Sequence, residues 1–193
     1  MTRDLVVVGA SWGGLDAIRT VLHGLPDDLP AAVVIVQHRS PVAHPQTLLG
    51  LLAAATPLAV VDPADKQKLE RGQVYVSPPD YHTYVEGDHL ALSTDDPVAF
   101  SRPSIDVLFE SAAESRGPAC VGVILTGANA DGARGLARIV ELGGAAVVED
   151  PASAERSEMP RAALQAVHGA LVAPIGGIAA IVGNLCARAG VTA

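Results

Sequence analysis

Aromatic side chains are scarce in this chain. One Trp, three Tyr and two Phe make up 3% of 193 residues. The core must therefore be filled by small aliphatic side chains, and hydrophobic residues reach 49% with 18% charged, a globular rather than a disordered composition. Lysine is nearly missing, at Lys66 and Lys68 alone, and no basic stripe offsets the net charge of −8. Nucleic acid and an anionic membrane surface both need clustered cations, so neither is expected as the main partner. Cysteine is limited to Cys120 and Cys186, which form neither a zinc pattern nor a disulfide framework. They read as two small buried hydrophobes in a reducing compartment. No run approaches the ~20 apolar residues of a membrane span, and the apolar part of MTRDLVVVGA is too short for a signal peptide. A cytoplasmic protein without membrane insertion is expected.

What is present is a regular alternation. Apolar runs of strand length at Leu5–Gly9, Ala32–Gln37, Leu58–Val61, Gln73–Ser77, Ala119–Thr126, Ala145–Glu149 and Ala170–Ala173 are separated by helical patterns. The runs are continuous rather than alternating, which indicates strands covered on both faces and hence a parallel sheet. Helices are expected over Leu15–Leu22, Pro45–Ala55, Ser104–Arg116 with Ser104 as its cap, Gly132–Leu142, Pro160–Val167 and Ile178–Ala189. The stretch HTYVEGDHLALS reads as a hairpin turning at Gly87-Asp88, inserted at a sheet edge. No linker divides the chain. The expectation is one α/β domain over residues 1–193, with a doubly wound, mostly parallel sheet of about seven strands and an antiparallel hairpin insertion.

Sites in such sheets lie beyond the carboxyl ends of the strands. Three of those ends carry Gly9-Ala10-Ser11-Trp12-Gly13-Gly14, Gln37-His38-Arg39 and Gly127-Ala128-Asn129-Ala130-Asp131-Gly132. A serine, a histidine and an aspartate thus each follow a buried strand of one sheet. Acyl transfer needs these three types. Serine requires a neighbouring base, histidine titrates near neutrality, and an aspartate fixes the imidazole tautomer and stabilises the imidazolium. Gly9–Gly13 also fits G-x-S-x-G, a sharp strand-to-helix turn that exposes a nucleophile. Backbone N–H groups at the following helix start can hold an oxyanion.

The residues alone leave three readings open. One is a serine hydrolase. A second is a nucleotide-binding α/β protein, although GASWGG lacks the second glycine of G-x-G-x-x-G and Gln37-His38-Arg39 stands where a ribose-binding acid is expected. The third is a non-catalytic signalling docking module.

The segments GASWGG, VVIVQHRSP, VYVSPPDYH, RPSIDVLFESAA, GVILTGANADGARG and EMPRAA, in that order, resemble the catalytic domain of CheB-type protein-glutamate methylesterases from about Leu5 to Gly183. The resemblance implies hydrolysis of glutamate γ-methyl esters on methylated chemoreceptors or similar signalling proteins. Methanol is released, and some members deamidate glutamine. It implies a doubly wound sheet, a Ser11–His38–Asp131 triad, and no metal or organic cofactor. Trp12 stands where threonine is frequent and is expected to wall the site. Ala128-Asn129 replaces a Met-Gly pair, with the Ala128 N–H still available to an oxyanion and Asn129 as a candidate donor. Arg102 and Ser104 belong to the RPSIDVLF motif and either line the substrate groove or fix its loop. Four residues precede the first strand, so a catalytic domain lacking the family's receiver domain is expected, with any regulator a separate protein.

The remaining candidates have plainer readings. His44, His82 and His89 share no face and are expected as surface histidines rather than metal ligands. Asp106 is expected to serve the first turn of its own helix. Arg134 and Arg138, one turn apart, are expected to be solvated.

Overall fold

The computed structural model describes residues 3–38 and 45–187. Arg39, His44 and the last two residues of the expected final helix, Arg188 and Ala189, fall outside them. The chain runs through β1 (Leu5–Ala10), α1 (Gly14–Gly24), β2 (Ala32–Gln37), α2 (Pro45–Ala53), β3 (Ala59–Val61), β4 (Gln67–Lys68), β5 (Gln73–Val76), β6 (His82–Glu86) and β7 (His89–Ser93). It continues through α3 (Ile105–Arg116), β8 (Cys120–Ile124), α4 (Ala133–Glu141), β9 (Ala145–Glu149), α5 (Glu158–Ala166), β10 (Leu171–Ala173) and α6 (Ile175–Ala187).

Seven strands form one sheet in the order β10-β9-β8-β1-β2-β5-β3, every pair parallel. All residues of β1, β2 and β8 are buried, which is why these segments read as unbroken apolar runs. The period of two splits β1 between two cores. Val6, Val8 and Ala10 join the side covered by α1 and α6, while Leu5 and Val7 face α3 and α4. Gly9 allows this close fit, because a Cβ there would run into the Ile105 side chain at the start of α3. No helix among the described residues is long and apolar enough to cross a membrane.

The hairpin β6–β7 turns at Gly87 as expected (φ 58°). It does not extend an edge of the main sheet. It forms a separate antiparallel sheet, β4-β7-β6, held to the flank of α3 by the Ser111 hydroxyl, which accepts the Val85 N–H at 3.1 Å. Strand β4 is two residues long and carries no apolar pattern to announce it. Cys120 and Cys186 are buried and unpaired, and burial raises both thiols, that of Cys186 to about 11.

Candidate active site

The strand order β8-β1-β2 brings three carboxyl ends side by side. Ser11, one residue past β1, is fixed through its main chain. Its N–H donates to Thr126 O at 3.0 Å, and its carbonyl accepts Gly14 N–H at 3.0 Å and the Gln37 side-chain amide at 2.7 Å. Gly13, with φ 74°, supplies the left-handed step that turns the strand into α1. The positive end of the α1 dipole therefore lies at Ser11. The Gln37 amide also donates to His38 O at 2.9 Å, so one side chain ties the serine and histidine backbones together. Sequence reasoning assigns Gln37 no role; its one signal is a polar residue closing a buried strand.

His38 follows β2 and is fixed by its N–H to Ala10 O at 3.0 Å. Its Nε2 lies 2.8 Å from Asp131 Oδ2. A carboxylate can only accept, so the assigned tautomer carries the proton on Nε2 and leaves a lone pair on Nδ1. The Asn129 side-chain amide sits 3.4 Å from that Nδ1, at the long end of hydrogen bonding. Among the described residues the Ser11 hydroxyl makes no hydrogen bond.

Asp131 is buried, at 5% exposure, and its carboxylate is saturated. Besides His38, Oδ2 accepts Ile105 N–H at 2.7 Å, and Oδ1 accepts Asp106 N–H at 2.9 Å and the Ser104 hydroxyl at 2.9 Å. Burial works against the charge, but the bonds from His38 and the two amides outweigh it and hold the carboxyl below its ordinary range. These donors belong to the first turn of α3. Ser104 holds the N-cap position as expected, but its hydroxyl makes no bond to its own helix, because Asp131 accepts the first amides of α3 and Ser104 supports Asp131.

The expectation that Asp106 serves its own helix is corrected. Its Oδ1 accepts Gly132 N–H at 2.9 Å and Gly135 N–H at 2.8 Å, at the start of α4 rather than of its own helix. Burial raises its carboxyl, with the Gly135 amide opposing and the Asp131 charge adding to the shift. His82 is not a surface residue but fully buried. Its Nδ1 accepts Ser104 N–H at 3.2 Å and its Nε2 donates to Asp96 O at 3.1 Å. Such burial rests on partners 14 and 22 residues away, which no local pattern announces. His89 is partly exposed and pairs with Asp88. Arg134 is largely exposed but bonded to Glu110, and Arg138 to Glu141.

Trp12, next to Ser11, is 60% exposed. Its indole N–H donates to Glu155 at 3.0 Å, and the Arg156 guanidinium lies 5.3 Å from the ring centre. The segment before α5 is thus clasped to the serine turn. Thr126 reinforces the clasp: its hydroxyl lies 3.0 Å from Trp12 O and accepts Arg156 N–H at 2.8 Å, and its own N–H donates to buried Glu149. Ser11 N–H is occupied by Thr126 O, whereas the N–H groups of Trp12 and Ala128 have no partner among the described residues. On the other side of His38, Arg102 and Phe100 line a pocket of about 260 Å³. Arg102 binds Asp80 through Nε and Nη2 at 3.0 and 2.6 Å, and donates Nη1 to Thr94 O and Asp95 O. Among the described residues no group of three His, Cys, Asp or Glu is arranged to hold a metal.

A carboxylate–imidazole pair beside a fixed serine and unpaired amides suits acyl transfer. The CheB methylesterase family model matches residues 6–182. A Leptospira interrogans protein, provisionally named protein-glutamate methylesterase/protein-glutamine glutaminase, is 43% identical over 167 residues, covering 86% of each chain. A Hahella chejuensis protein-glutamate methylesterase/protein-glutamine glutaminase is 40% identical over 185 residues, 94% of this chain. The chain spans about half the length of that relative (51%). The crystal structure of the Thermotoga maritima CheB methylesterase catalytic domain matches with a TM-score of 0.89 at 28% identity, covering 96% of this chain and 100% of that one.

Proposed function

This chain belongs to the CheB methylesterase family, and from that premise we propose that it hydrolyses γ-methyl esters of protein glutamates through Ser11, His38 and Asp131. The amide of protein glutamine is a second substrate of the same chemistry, consistent with the paired activities in its relatives' names. The observation that carries the triad is the 2.8 Å contact between His38 and buried Asp131 at the strand ends beside Ser11.

In the proposed reaction the substrate displaces the Asn129 amide from His38 Nδ1, and the Ser11 hydroxyl takes its place. Ser11 Oγ attacks the ester carbonyl while Nδ1 accepts its proton. Asp131 keeps the opposite nitrogen protonated and stabilises the imidazolium. The tetrahedral oxyanion is received by the N–H groups of Trp12 and Ala128, aided by the α1 N-terminus. Collapse breaks the bond to the methoxy oxygen, which leaves as methanol with the proton from His38. Water, deprotonated by His38, then attacks the acyl-enzyme, and the glutamate carboxylate departs as Ser11 recovers its proton.

The proposed physiological substrate is a methylated chemoreceptor or similar signalling protein, in the cytoplasm. A fluorophosphonate probe tests the nucleophile. One adduct on Ser11, abolished by Ser11→Ala and strongly slowed by His38→Ala, supports this reading. No adduct, or one on another residue, contradicts it.

A further inference from the structure

Phe100 occupies a position that its own fold does not explain. Val98 and Ser101 exchange two main-chain hydrogen bonds, Val98 N–H to Ser101 O at 3.1 Å and Ser101 N–H to Val98 O at 2.9 Å. They close a two-residue turn over Ala99 and Phe100, whose φ angles are both positive, 48° and 65°. Turns of that kind are built from Asn-Gly or Gly-Gly, because a bulky side chain is disfavoured at positive φ. Packing does not compensate here. Phe109, the chain's other phenylalanine, is fully buried in the core, whereas Phe100 is fully exposed. Among the described residues nothing covers the Phe100 ring, and residues strained in this way cluster at active sites and ligand clamps.

Its location indicates the ligand. Phe100 shares one pocket with His38, Pro97, Pro103, Ser101 and the Arg102–Asp80 pair. Four of the five N–H groups of Arg102 are taken by Asp80, Thr94 O and Asp95 O, so the guanidinium is largely spent, and Phe100, Pro97 and Pro103 supply an apolar wall beside the imidazole. We propose that Phe100 is a specificity-determining anchor, which receives an aliphatic side chain of the substrate polypeptide lying on the same face as the reacting glutamyl group. The occupant is substrate because the pocket opens at the imidazole of the reaction centre. This rests on the proposed methylesterase reading for the identity of the reacting group. On a helical substrate, the side chain so placed is three or four residues from the ester.

Binding without turnover tests this separately from catalysis. The Ser11→Ala protein is titrated with a labelled helical peptide carrying a central glutamate γ-methyl ester and leucines four residues to either side, and with its serine-substituted counterpart. The leucine peptide is expected to bind about tenfold or more tightly, the worth of one buried aliphatic side chain. Adding Phe100→Ala removes that preference and leaves the serine peptide unchanged within about twofold. Phe100→Gly, in the otherwise native protein, raises the melting temperature by about 2–4 °C as the turn relaxes. Equal binding of both peptides, an equal loss on both in the Phe100 variant, or a lowered melting temperature for Phe100→Gly overturns the proposal. Failure of the native enzyme to hydrolyse the ester counts against the reaction and leaves the binding comparison standing.

Discussion

Asp131 caps the start of α3, the helix that holds Asp106, and Asp106 caps the start of α4, the helix that follows Asp131. The Asp131 carboxylate accepts the first amides of α3, Ile105 and Asp106, while the Asp106 carboxylate accepts Gly132 and Gly135 at the start of α4. The carboxylate that orients His38 is therefore held both by its own acceptor bonds and by the anchoring of the residue after it. Two helix ends that would otherwise leave buried donors unpaired become the mount of a reaction centre.

Asp106 is thus predicted to be a positioning residue. Asp106→Ala leaves the Gly132 and Gly135 amides unpaired, costs about 1–3 kcal/mol of stability, and lowers kcat by about 10–100-fold with little change in KM. Asp106→Asn retains an oxygen acceptor for both amides and recovers most of the rate. Ester kinetics beside urea unfolding read both effects. A parallel loss in both variants would tie the effect to charge rather than to the cap.

Gln37 carries a directional prediction. Its amide donates to two carbonyls, Ser11 O and His38 O. Gln37→Ala removes the tie and lowers kcat by about tenfold or more. Gln37→Glu turns a carboxylate toward both carbonyls and is expected to be worse than alanine in rate and in urea midpoint. A glutamate variant as active as wild type would remove Gln37 from the account.

Trp12 separates specificity from stability. The indole is exposed, and its Glu155 and Arg156 contacts lie at the surface, where such interactions contribute about 1 kcal/mol or less. Trp12→Thr should leave the melting temperature within about 2–4 °C while changing relative kcat/KM values across peptide esters with different flanking residues. An unchanged ranking would show that the ring does not wall the site.

Glu149 links the site to pH. Burial raises its carboxyl, with partial relief from the Thr126 amide. The folded protein therefore holds this proton to a higher pH than the unfolded chain. The resulting stability is complete below the ordinary glutamate range and declines as pH rises through the raised value. Asp131 has the opposite sense, since its lowered carboxyl stabilises above the ordinary aspartate range and loses that contribution as pH falls. Glu149→Gln removes the first slope alone. Urea midpoints should show the variant gaining on wild type as pH rises from the ordinary glutamate range through the raised value of Glu149. A constant difference would contradict the assignment.

The strand ends were legible because β1, β2 and β8 are buried on both faces, and unbroken apolar runs announce that directly. With the strands placed, Ser11, His38 and Asp131 fall at neighbouring carboxyl ends. What holds them was less legible, because it depends on cross-chain partners. Asp106 obeys the local rule that acids suit a helix start, yet serves a different helix 26 and 29 residues on. Ser104 holds the cap position, yet its hydroxyl is spent on Asp131. His82 looks like a loop histidine until Ser104 N–H and Asp96 O supply its partners. Phe100 gave no sign at all, since positive φ at a bulky residue contradicts the preferences from which turns are read.

The most direct measurement is methanol release from a methylated receptor fragment, with wild type beside Ser11→Ala. Wild type is expected to release stoichiometric methanol, and Ser11→Ala to lose about 10⁴-fold or more in kcat with an unchanged unfolding curve. A correctly folded Ser11→Ala that releases methanol at the wild-type rate would contradict the proposed triad.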